Sequence, residues 1–137
     1  MSIHDLHGKF NGKEFEYISN YLDSESYSDE KSWAQRFEEE VSKHTGVKYA
    51  VACNSGTSGL HMAMYACGIG HGDEVITPAL TVVMDAYAVI HVGATPVFVD
   101  VERDTYGISV EEIKKKITNK TKAIITVSLQ GLSVDMD

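Results

Sequence analysis

The sequence predicts an α/β fold, a mainly parallel sheet with helices on both faces, and three observations carry that reading. Short apolar runs alternate with helical patterns along the 137 residues, in the order strand, helix, strand, helix, strand, helix, strand. The run at 96–100, Pro-Val-Phe-Val-Asp, is apolar through its middle, as a strand covered on both faces is. A small-residue turn, Asn54-Ser55-Gly56-Thr57-Ser58-Gly59, joins a short apolar run to a helical one. Such a junction occurs in α/β units and can expose helix N-terminal amides.

The N-terminal residues 1–11 are polar and unpatterned and read as an arm. From Gly12, Phe15, Ile18 and Leu22 mark one face of a helix ending near Asp23. The polar stretch 24–29 reads as a loop. Ser32 and Gln35 have the spacing of a capping box, opening a helix with Trp33, Phe37 and Val41 on one stripe. Glu38, Glu39 and Glu40 lie largely off that stripe, and adjacent helix residues do not converge, so they read as a solvated face. Residues 49–53 read as the first strand. Leu60, Ala63, Met64 and Cys67 then recur at helical spacing. Residues 74–77 form a second strand closed by Pro78, 82–92 a mostly apolar helix, and 96–100 a third strand. Ser109 and Glu112 have capping-box spacing before a helix with Val110, Ile113 and Ile117, and 122–127 is the fourth strand.

In sheets of this kind ligands bind beyond the carboxyl ends of the strands. Residues 54–57, 77–81, Asp100 and 128–131 fall at those ends. The turn at Ser55, Gly56 and Thr57 is the candidate phosphate cradle, because free amides at the positive end of a helix dipole favour an anion and small side chains let it approach. A plain connecting turn would look the same. No P-loop or dinucleotide pattern is present, so the anion is not expected to belong to those nucleotide motifs. Asp85, near the start of the next helix, is either a helix-dipole partner or a polar site residue. Asp100 is expected to begin a turn with Glu102, Arg103 and Asp104.

Twelve basic and twenty acidic residues give a formal charge of −8, which disfavours nucleic acid and anionic membrane surfaces as partners. Lys114, Lys115 and Lys116 read as the solvated face of a helix. Cys53 and Cys67 sit in apolar settings and are expected to be buried free thiols. The six histidines show no metal-ligand spacing, so no metal site is expected; His61 could touch a ligand but reads first as a packed or surface residue. No stretch has the length of a membrane span and no signal run opens the chain, which predicts a cytoplasmic protein.

With these elements placed, the chain resembles the N-terminal part of the DegT/DnrJ/StrS sugar aminotransferases. The residues carrying the resemblance are Phe37-Glu38-Glu39-Glu40, Gly46-Val47-Lys48-Tyr49-Ala50-Val51, Ser55-Gly56-Thr57-Ser58-Gly59-Leu60, Gly72-Asp73-Glu74-Val75-Ile76-Thr77-Pro78, Gly93-Ala94-Thr95-Pro96-Val97-Phe98-Val99-Asp100, Thr121-Lys122-Ala123-Ile124-Ile125 and Asp135-Met136-Asp137. The resemblance implies that residues 12–137 are a partial cofactor-binding large domain on the fold type I scaffold, with pyridoxal 5'-phosphate as cofactor. It implies that Gly56 and Thr57, beside Ser55, hold the cofactor phosphate. It places Val82 where many members carry an aromatic that stacks on the pyridine ring; valine can pack there but cannot stack. Ser128 and Gln130 stand where many members have His and Tyr.

The resemblance further implies a homodimer acting on a nucleotide-sugar substrate, a nucleotide-linked keto-sugar, with Glu or Gln as amino donor. It places the Schiff-base Lys and the Asp that pairs with the pyridinium nitrogen beyond residue 137, so the 137 residues alone are expected to be inactive. A sugar dehydratase of the same family and a non-catalytic truncated remnant are the alternatives.

Overall fold

The computed structural model describes residues 13–23 and 32–136. The expected arm at 1–11 and loop at 24–29 lie outside the described residues. The chain divides into two compact units, residues 1–52 and 53–137.

In the first unit, helix α1 (Lys13–Asp23) forms where the 15, 18 and 22 spacing predicts it, with all three of those side chains exposed. Helix α2 (Trp33–Thr45) opens on a complete capping box. The Gln35 amide donates to Ser32 Oγ at 3.3 Å, and the Ser32 amide donates to Gln35 Oε1 at 2.9 Å. It ends at Gly46 with φ 76°, whose amide donates to Ser42 O. Trp33 meets the edges of Tyr17 and Tyr21, and the Arg36 guanidinium lies 5.1 Å from its ring centroid.

Two expectations fail in this region. Residues 49–52 form no strand, because no strand among the described residues lies beside them to complete a ladder. The Ala52 amide instead donates to the Glu38 carboxylate at 2.8 Å. Glu38 is therefore not simply part of a solvated face; it is half-buried and acts as a backbone acceptor.

The second unit holds a three-stranded parallel sheet of β1 (Glu74–Pro78), β2 (Thr95–Val99) and β3 (Thr121–Ile124), in the order β2-β1-β3. Pro78 belongs to its strand rather than lying beyond it, and pairs with Val99. Strand β3 is shorter than the apolar run 122–127, although Ile125 still donates to Ile76 O at 2.8 Å. Helices α3 (Gly56–Ala66), α4 (Met84–His91) and α5 (Val110–Lys116) accompany the sheet.

Alternation along the strands divides the core between two faces. Val75 joins Met64, Ile69, Val89, Ala94 and Ile125, so α3 and α4 cover one face. Ile76 joins Val99, Ile108 and Ile113, so α5 covers the other. This is the expected layering of helices on both sides of a parallel sheet.

Three local expectations need comment. Ser109 occupies the N-cap position of α5, but its hydroxyl makes no cap hydrogen bond, so the second capping box does not form. Cys53 and Cys67 are free but exposed, not buried, because they flank α3 instead of lying on its packed face. Lys114 and Lys115 do face solvent, each paired with a glutamate three residues earlier.

Candidate functional site

The direction of the chain puts two helix N-termini at one edge of the sheet. Helix α3 returns through residues 67–73 to the start of β1, and five residues, 79–83, separate the end of β1 from the start of α4. A helix of eleven residues is about 16 Å long and a five-residue strand about 17 Å, so each helix runs back along the sheet. The positive helix ends therefore point toward the carboxyl ends of the strands.

The first turn of α3 is built around Ser55, the N-cap residue, in extended backbone. Its hydroxyl accepts from the Ser58 amide at 3.2 Å and lies 3.0 Å from Ser58 Oγ. Ser58 Oγ donates in turn to Asn54 Oδ1 at 2.6 Å. Each hydroxyl has one proton, so Ser55 donates to Ser58 in this relay. The relay holds the turn without engaging the amides of Gly56 and Thr57 or the Thr57 hydroxyl. None of these three donors has a hydrogen-bond partner among the described residues. A β-carbon added at Gly56 would meet nothing within 4 Å, so the approach to this turn is open. Two free amides, a hydroxyl and the helix dipole form a donor set that fits a phosphate group.

Beyond β1, the Ala79 amide donates to Val99 O at 2.8 Å, extending the ladder past Pro78. Thr81 then donates through its hydroxyl to the Asp85 carboxylate, and the Asp85 amide donates to Val82 O. Asp85 is 5% exposed, so it is a buried acceptor in the first turn of α4. Val82 projects into solvent at 66% exposure, beside exposed Leu80 and Val83. Its side chain is available to cover a planar group.

The remaining candidates separate. Asp100 accepts the Val101 amide at 2.8 Å, and an antiparallel bridge between Val101 and Ile108 closes the expected turn. Gln130 and Gly131 have φ of 55° and 82° within a single 3-10 turn, Leu129–Gly131. His61 meets His91 of α4. A cleft of about 400 Å³ on the first unit is lined by residues that include Glu38, Glu39, Lys43 and Lys48, and by none of the predicted site residues. Sequence reasoning missed Glu38 as a backbone acceptor and the meeting of His61 with His91. Both are contacts between positions far apart in the chain that no local pattern encodes.

The chain shares this arrangement with known proteins. It is 45% identical over 126 residues to GDP-perosamine synthase of Escherichia coli O157:H7, covering 92% of this chain and 35% of that protein. It therefore spans about a third of the length of the curated relatives it matches. Among solved structures, Spr1654 of Streptococcus pneumoniae, known in apo, PLP and PMP forms, matches with a TM-score of 0.85 at 33% identity, over 93% of this chain and 32% of that one. A GDP-4-keto-6-deoxymannose-3-dehydratase matches with a TM-score of 0.76 at 28% identity, over 88% of this chain and 32% of that one. The family model for the DegT/DnrJ/EryC1/StrS aminotransferases matches residues 9–137, and the chain belongs to that family.

Proposed function

We propose that this chain supplies the phosphate-holding, N-terminal part of a pyridoxal-phosphate-dependent aminotransferase that acts on a nucleotide-linked keto-sugar. The observation that carries the reading is the open first turn of α3, in a chain 45% identical to a GDP-perosamine synthase. A GDP-linked sugar is accordingly the substrate class, with Glu or Gln as amino donor.

In this reading the amides of Gly56 and Thr57 and the Thr57 hydroxyl hold the cofactor phosphate. Ser55, tied into its relay with Ser58 and Asn54, keeps those donors aimed outward. The hydrogen bond from half-buried Thr81 to buried Asp85 fixes the segment that carries Val82, and Val82 covers one face of the pyridine ring. When bound, the cofactor supplies an electron sink for negative charge developing on the substrate carbon. The amine that binds the cofactor and the acid that pairs with its ring nitrogen are assigned to sequence outside residues 1–137. The reading also includes a cytoplasmic homodimer.

The test uses the full-length polypeptide. Removing a hydrogen bond to a charged group costs about 1.5–3 kcal/mol, so Thr57→Ala is expected to weaken cofactor binding by roughly 10- to 100-fold, with Thr57→Ser near the parent. Absorbance and fluorescence titration measure both. A full-length protein that shows no cofactor absorbance and transfers no amino group from Glu or Gln to a GDP-linked keto-sugar would falsify the reading. The structural match to a 3-dehydratase favours a second outcome, in which the same assay yields a deoxygenated sugar instead of an amino-sugar.

A further inference from the structure

His61 and His91 stand thirty positions apart in the chain, and the proposed reaction uses neither. The packing of α3 on α4 brings their rings to a centroid separation of 5.6 Å with 60° between the planes. Two imidazoles that share one tetrahedral zinc ion, at Zn–N bonds of about 2.0–2.1 Å, have centroids about 5 Å apart. The observed separation is close to a chelating one. Tyr87, one turn before His91, lies nearly parallel to its ring, with centroids 6.3 Å apart and 11° between planes.

The surroundings favour a cation. Neither α3 nor α4 contains Lys or Arg. His91 occupies the last turn of α4, where the helix dipole is negative. His91 is exposed and His61 half-buried, so an ion can reach both rings from solvent.

We propose that His61 and His91 form a two-histidine site for a divalent ion of the zinc class. Water completes the tetrahedral shell, since no group of three or more His, Cys, Asp or Glu side chains converges among the described residues. The bound ion ties the helix that carries the cradle to the helix that carries Asp85. It is a clamp between elements and takes no part in group transfer.

The experiment titrates Zn²⁺ alone into the full-length polypeptide, purified without a histidine tag and stripped with chelator, and reads binding by calorimetry. One binding event per chain is expected, weakened about tenfold or more by His91→Asn and by His61→Asn alike. The double variant should bind more weakly than either single one, because each single variant keeps one of the two imidazole ligands. Zn²⁺ should also raise the melting temperature of the parent and not that of the variants. Melting in chelator identifies a variant that fails to fold, and His91→Gln at the exposed position then supplies the comparison. Zn²⁺ affinity that is the same in parent and folded His91 variants, or no binding up to millimolar Zn²⁺, overturns the proposal.

Discussion

Gly93 shows how tightly a single position can be specified. Its φ is +79°, and a β-carbon there would lie 2.6 Å from the His71 ring. A left-handed conformation costs an L-residue about 1–2 kcal/mol before any clash. Gly93→Ala is therefore expected to destabilise the folded protein by at least that amount in a denaturant titration. Adding His71→Ala should recover the steric part and leave the backbone part. Glu38 is a second such position, because its carboxylate is the acceptor for the Ala52 amide. Glu38→Ala should cost about 1 kcal/mol, and Glu38→Gln, which keeps an acceptor, less than half of that. At the candidate site, Val82→Phe restores a ring that can stack. A gain of about 0.5–1.5 kcal/mol corresponds to roughly two- to tenfold tighter cofactor retention, measurable by dialysis of the full-length protein.

At the scale of elements, the two capping-box spacings have different fates. Ser32 makes both reciprocal bonds, whereas Ser109 makes none. Ser32→Ala should therefore lower stability by about 1 kcal/mol, while Ser109→Ala should stay within about 0.5 kcal/mol of the parent. Chemical denaturation of the two variants side by side checks this. The α5 ion pair carries less weight. A hydrogen bond from Lys115 to the Glu112 carboxylate, reinforced by its charge, raises the lysine pKa above its ordinary value. The pair therefore contributes below the ordinary lysine range and is lost as pH rises through the raised value. The Lys115 side chain is exposed, so salt and water screen the pair. Lys115→Met should leave the melting temperature unchanged.

For the whole molecule, the open flank of the sheet is decisive. The outer edge of β3 pairs with no strand among the described residues, and Ile124 on it is 42% exposed. Residues 49–52 carry exposed Tyr49 and Val51 and likewise lack a partner strand. Apolar surface and unpaired strand edges in this arrangement promote association. A polypeptide of residues 1–137 made alone is therefore expected to bind a hydrophobic dye and to aggregate at micromolar concentration. A cooperative, monomeric melt of that polypeptide would contradict this.

Much of the fold and the candidate cradle was legible in the sequence because both are local. Apolar periodicity fixed α1, α2 and the three parallel strands, and the small-residue turn at 54–59 could be read as an open helix start because its geometry depends on adjacent residues. The strand at 49–53 and the second capping box were misread for the converse reason. A strand exists only beside a partner, and a hydroxyl caps a helix only when its rotamer and neighbours permit. Tertiary structure alone decided that Glu38 serves Ala52, that Thr81 serves a buried Asp85, and that His61 lies against His91. These contacts arise from the packing of elements onto one another, which no window of sequence records.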